Sequence, residues 1–166
     1  MGYFSLIDKC MSTGMSENFN IKFMIEAFDQ AQKSFDADEV PVGSVVVRDS
    51  QIIGRGANDV ISSFSVFGHA EINAIADASK TIQNYRLTGC DIYVTLEPCH
   101  MCAKAMVDAR LKNLYFAASE PKTGAVVSVD KFFDAKHLNH KVNYSYGYMA
   151  EESADMLKKF FKSKRI

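Results

Sequence analysis

Nowhere in this 166-residue sequence do apolar residues run to the length a membrane helix requires, which is about 20 in succession. The start also lacks the basic segment, apolar run and small-residue cleavage site of a signal peptide. Cysteine is scarce, with four in all, too few for the disulfide scaffold of a small secreted domain. Net charge is nearly absent, at −1, so bulk electrostatics gives no pointer to a nucleic-acid partner. No internal repeat, low-complexity tract or domain boundary interrupts the chain. These absences leave a soluble, cytoplasmic reading and an ordinary globular composition, 48% hydrophobic and 23% charged. A chain of this size is expected to form one domain that buries about two-thirds of its unfolded surface.

The first 18 residues show no period and read as a short leader, with Met11 and Met15 as alternative starts; the domain is expected over residues 19–166. From Ile21 the apolar residues Met24, Ile25, Phe28, Ala31 and Phe35 recur at helical spacing. Residues 43–47 read as a buried strand, 48–51 as a turn and 52–56 as the second strand of a hairpin. A Ser-rich loop over 58–68 follows, carrying Phe64 and Phe67. Helices are expected over 69–80, 99–110 and 150–161, strands over 92–96, 114–118 and 142–146, and weaker helical character over 126–133. This order indicates an α/β domain, a central sheet with helices on both faces.

Two stretches carry chemistry. Glu97-Pro98-Cys99-His100-Met101-Cys102 places two cysteines three apart behind a proline, and Gly68-His69-Ala70-Glu71 supplies a His-x-Glu about thirty residues earlier. Pro98 suits the first turn of a helix. Cys99 and Cys102 then share one side, where the helix dipole favours thiolates. Residues two apart do not share a helical face, so His69 and Glu71 can serve one centre only at a helix end. The expectation is therefore two helix N-termini aimed at one metal ion. His69, Cys99 and Cys102 make three zinc ligands, the number typical of a catalytic site that keeps a position for water. Glu71 is left to take and return a proton. A redox dithiol or half a structural zinc knuckle are the bland readings of Cys-x-x-Cys; no second such pair exists to close a knuckle. His100 neighbours Cys99 and is expected to point elsewhere. Cys10 and Cys90 remain unpaired.

His-x-Glu followed by Pro-Cys-x-x-Cys is the pattern of zinc nucleobase deaminases. With Pro41-Val42-Gly43, Asn84-Tyr85-Arg86-Leu87, residues 93–99, Lys122-Thr123-Gly124-Ala125 and Leu138-Asn139-His140, the chain resembles the bacterial tRNA-specific adenosine deaminases from about Ile21 to Arg165. The resemblance implies a three-layer α/β/α fold of the cytidine-deaminase type around a central mixed five-stranded sheet. It implies one Zn2+ per subunit, a homodimer, and hydrolysis of adenosine to inosine at the wobble position of an arginine tRNA anticodon, with release of ammonia. It assigns Asn58 and the backbone N–H of Ala70 to holding the base, and brings Glu120 and Lys122 toward the RNA. Lys122 is either a phosphate contact or an ordinary loop lysine. Five basic and no acidic residues lie between Met156 and Ile166, either a phosphate-binding cluster or a helix end favoured by its dipole. Ser65-Val66-Phe67-Gly68 departs from the polar stretch usual in relatives, and Phe67 either lines the pocket, stacks on a base or packs in the dimer. A deaminase of free bases or nucleosides needs the same zinc kit, and a zinc-stabilised RNA-binding protein without chemistry is the non-enzymatic alternative.

Overall fold

The protein is described by a computed structural model over residues 16–165. The leader and its candidate starts lie outside the described residues, except 16–18, as does Cys10. The elements in chain order are helix α1 (Ile21–Asp36), strands β1 (Gly43–Arg48) and β2 (Gln51–Ala57), α2 (Ala70–Ile82), β3 (Asp91–Leu96), α3 (His100–Asp108), β4 (Asn113–Ala118), a 3-10 turn (Phe132–Asp134), β5 (Asn143–Tyr146) and α4 (Ala150–Lys164).

The five strands form one sheet in the order β2-β1-β3-β4-β5. β1 runs antiparallel to both β2 and β3, whereas β3–β4 and β4–β5 are parallel. The sheet is therefore mixed, as the resemblance implied. Its strands divide their side chains by the two-residue period of a pleated strand. Val46, Ile92, Val94, Leu114 and Phe116 join the core with Ala74 and Ala78 of α2 and Ala103, Met106 and Val107 of α3. Val45, Val47, Tyr93, Tyr115 and Ala117 face the opposite way, onto Met24 and Ala27 of α1. α4 closes the same layer as α1: Ser153 Oγ donates to Thr95 O at 2.5 Å, and Phe160 meets Phe35 edge-on. The result is three layers, α/β/α.

Local sequence explains most boundaries. Asn20 caps α1 by accepting from Lys22 N–H, the usual service of an Asn at that position. In α4, Glu151 and Glu152 occupy the first turn and Lys162 and Lys164 the last, matching the helix dipole at both ends. The start of α2 is set by close approach. A Cβ at Gly56 of β2 would overlap Ala70 O and Ala74 N, so only glycine lets this helix start press against the hairpin. Asn73 then ties α2 down through Nδ2, which donates to Ala57 O and Asp59 Oδ1, both at 2.9 Å.

One expectation fails. Residues 126–129 form a turn rather than the start of a helix, and only Phe132–Asp134 makes a single 3-10 turn. The cause is long-range: the N–H groups of Val126, Val127 and Ser128 all donate to the carboxylate of Glu97.

Candidate active site

The centre is built where α2 and α3 begin. His69 is the extended N-cap residue of α2 and Cys99 that of α3, while Cys102 sits buried in the first turn of α3. His69 Nδ1 lies 3.6 Å from Cys99 Sγ and 3.4 Å from Cys102 Sγ. All three ligand atoms fall within 4.8 Å of one another, forming a group that could hold a metal ion. Two helix N-termini thus meet at one point, as the sequence required. The N-cap position resolves the spacing problem of His69 and Glu71. His69 stands outside the helix, so it does not have to share a helical face with a residue two places on.

The protonation of this cluster fits a cation. The Cys99 thiol is driven down to about 4, first by the hydrogen bond from Cys102 and then by His69, against the effect of burial. Cys102 is pushed up, first by the same contact with Cys99 and then by burial. A divalent ion bound here would displace the protons of both thiols. Two sulfurs and one imidazole form a soft donor set suited to a tetrahedral ion. His69 is held above its ordinary pKa, first by Cys99, with the Glu71 charge adding to it and burial opposing. Glu71 is 4% exposed in the first turn of α2. Burial raises its carboxyl to about 7, against the pull of its own N–H and of His69. A carboxyl poised there can both take and give a proton near neutrality. His100 turns away, its Nε2 lying 3.1 Å from Asp130 Oδ2.

Above this floor opens a cleft of about 300 Å³. Val40, Val42, Val60, Ile61 and Leu96 supply apolar walls, and Asn58, His69, Ala70, Glu71, Cys99 and Glu120 line it with polar groups and the helix start. Asn58 is buried, and its Nδ2 donates to Val40 O at 3.1 Å. Ala70 is the first residue of α2, where backbone N–H groups have no partner within the helix. Glu120 Oε1 accepts from Lys122 N–H at 2.9 Å. Lys122 itself is exposed and lines a second groove of about 810 Å³ with Leu157, Lys158, Phe161, Lys162, Lys164 and Arg165. The loop lysine and the C-terminal basic residues, treated separately in the sequence, therefore form one surface. Lys164 in that groove pairs with Asp38. Phe67 does not line the cleft: it is 63% exposed, and Phe64 is 97% exposed.

Two buried carboxylates beside the cleft escaped the sequence reading. Glu39, 2% exposed, accepts from the N–H groups of Ile61 at 3.2 Å and Ser62 at 2.7 Å and so holds the 58–68 loop. Glu97, 3% exposed, holds the 119–128 loop through Glu120 N–H, the N–H groups of residues 126–128 and the Ser128 hydroxyl. Burying a charge costs several kcal/mol, and hydrogen bonds to a charged acceptor return about 1.5–3 kcal/mol each, so five such bonds offset the cost. Burial raises the Glu97 pKa, yet the bonds from Ser128 and the backbone outweigh it and keep the carboxyl below its ordinary value. The available signal was a carboxylate directly after the mostly apolar strand β3.

Among the described residues no helix is long and apolar enough to cross a membrane. The MafB19-like deaminase family model matches residues 18–165. The tRNA-specific adenosine deaminase of Haemophilus influenzae is 45% identical over 148 residues, covering 89% of this chain and 86% of that protein. A solved structure described as a tRNA:A34 deaminase, studied for A-to-I editing at the wobble position, superposes with a TM-score of 0.81 at 40% identity, covering 83% of this chain and all of that one. A guanine deaminase from Bacillus subtilis is more distant, with a TM-score of 0.58 and 28% identity over 92% of this chain and 96% of its own. Sequence and fold thus match over most of the chain, and this chain belongs to the tRNA-specific adenosine deaminases.

Proposed function

We propose that this enzyme hydrolyses adenosine to inosine at the wobble position of a tRNA anticodon, that of arginine tRNA, and releases ammonia. Support comes from the two adjoining surfaces. Glu120 and Thr123 line the cleft, whereas Lys122, between them in the same loop, lines the basic groove with Lys158 and Lys162. A base extruded into the cleft would keep its flanking phosphates beside cationic side chains, as recognition of an unstacked loop base requires. A free nucleobase has no phosphates for that groove to bind.

His69, Cys99 and Cys102 are the residues that would hold one zinc ion, whose Lewis acidity makes water nucleophilic at neutral pH. The chain's own groups handle binding and protons. Asn58 and the Ala70 N–H hold the base against the apolar walls. Glu71 accepts one proton from water as it adds to the amine-bearing ring carbon and gives it to the neighbouring ring nitrogen; it then takes the proton of the added hydroxyl and delivers it to the departing amine as the C–N bond breaks and the carbonyl forms. Glu120 and Lys122 steer the RNA backbone, with the basic end of α4 as the further phosphate contact. The enzyme works as a single domain over residues 19–166, as a homodimer, in the cytoplasm.

The experiment is direct. Incubation with bacterial tRNA followed by sequencing should find inosine at the wobble position of arginine tRNA. Parallel reactions with free adenosine, cytidine and guanine should stay unconverted; conversion of these alone would replace the tRNA reading with a free-base deaminase.

A further inference from the structure

We propose that Glu97 is a positioning residue for the substrate: by gathering the 119–128 loop onto its buried carboxylate, it holds the cleft-rim side chains in the arrangement that binds the substrate. The proposal rests on the reading that this cleft takes the nucleobase, and it adds a residue that neither holds metal nor moves protons.

The geometry separates the two carboxylate oxygens. Oε1 accepts from the N–H groups of Val126 at 3.1 Å, Val127 at 2.7 Å and Ser128 at 2.9 Å. Oε2 accepts from Glu120 N–H at 2.9 Å and from Ser128 Oγ. The loop's two ends, about eight residues apart in sequence, are therefore closed on one side chain. The flanking backbone completes the clasp: Glu97 N–H donates to Ala118 O at 2.8 Å, and Pro98 O accepts from Ala125 N–H at 2.9 Å. Gly124 lies against the clasp, where any Cβ would overlap the Glu97 carboxylate and Glu120 O. An ionised carboxylate is an acceptor at both oxygens, so it alone among side chains of this size can satisfy donors converging from both ends of the loop.

The placement explains what the clasp is for. Glu120 and Thr123 line the cleft and Lys122 lines the basic groove, and all three ride on the segment between the two anchored ends. Cys99 is two residues along the chain from Glu97, so the loop is registered against the same strand end that presents the metal ligand. Loss of the clasp should loosen the rim while the metal cluster, built from α2 and α3, stays in place.

Glu97→Gln tests this selectively. The amide oxygen can keep the Oε1 set, but the amide nitrogen then faces Glu120 N–H, donor against donor. Hydrogen exchange at Glu120 should quicken roughly tenfold and that at Val126 and Val127 by a smaller factor, with β3, β4 and α3 amides unchanged. Metal content should match wild type. On an anticodon stem-loop of arginine tRNA, KM should rise roughly tenfold while kcat changes less than about threefold, the pattern of lost binding rather than lost chemistry. Ser128→Ala, which removes one donor and disturbs the fold less, should loosen the same amides by a smaller factor. Gly124→Ala should reproduce Glu97→Gln by displacing the carboxylate. Unchanged loop exchange in Glu97→Gln, or quickened exchange spread evenly over the molecule with metal lost, would overturn the proposal. A wild-type enzyme that leaves the stem-loop unconverted would overturn the tRNA reading instead, and the loop exchange still decides whether Glu97 holds the rim.

Discussion

The floor and the rim of the cleft are built on different principles. The floor consists of two helix starts, and its key groups lie at the N-caps and in the first turns: His69 and Glu71 at α2, Cys99 and Cys102 at α3. The rim consists of two loops, over 58–68 and 119–128, each pinned by one buried carboxylate, Glu39 or Glu97, that accepts backbone N–H groups. The floor depends on side-chain identity at set spacings. The rim depends on where backbone donors find an acceptor. Floor mutations should therefore abolish chemistry, and rim mutations should weaken binding.

The largest effect is expected at Glu71. Glu71→Gln should lower single-turnover inosine formation by about 10²–10⁴-fold, the range for a general acid–base group, with metal content unchanged. Near-normal turnover would remove Glu71 from proton transfer. Cys102→Ala comes next, because it deletes a buried ligand. Metal analysis should find less than half the wild-type content, and a chelator that lowers the melting temperature of the wild type should leave the variant little changed. Full metal occupancy would refute the ligand assignment.

On the rim the effects should be smaller. Glu39→Gln sets one amide nitrogen against Ile61 or Ser62 N–H, so KM should rise several-fold at nearly constant kcat; a fall confined to kcat would place Glu39 with the floor. Replacing Lys158 and Lys162 together by Gln should reduce the slope of log affinity against log salt by about 1.4, at roughly 0.7 per phosphate contact on single strands. An unchanged slope would mark the groove as a solvated helix end. Smallest of all is Phe64→Ala at a 97% exposed position, where unfolding free energy should move by less than about 0.5 kcal/mol. A larger loss would show that the loop tip is packed against something, a second copy of the chain included.

The contrast also explains what could be read in advance. The strands and helices were legible because their periods of 2 and 3.6 are local, and Val45–Val46–Val47 divides between two cores as alternation demands. The metal group was legible because His-x-Glu and Cys-x-x-Cys carry their geometry in their spacing. Residues 126–133 misled, since their apolar content suits a helix while their N–H groups are taken by a carboxylate about thirty residues away. Nor did sequence distinguish Lys122 as a solvated lysine from Lys122 as one wall of a basic groove, because the other wall is α4.

By itself the sequence determined which residues could ligate metal, because that assignment follows from side-chain chemistry at short range. It also determined that the domain is a layered α/β structure. The tertiary structure supplied the closure that this spacing called for, setting His69 Nδ1 3.6 Å from Cys99 Sγ and 3.4 Å from Cys102 Sγ. It decided too that Glu97 and Glu39 serve the backbone, and that the basic tail adjoins the cleft. Those outcomes depend on long-range closure of the chain around one sheet, in which each buried donor takes whichever acceptor packing brings to it.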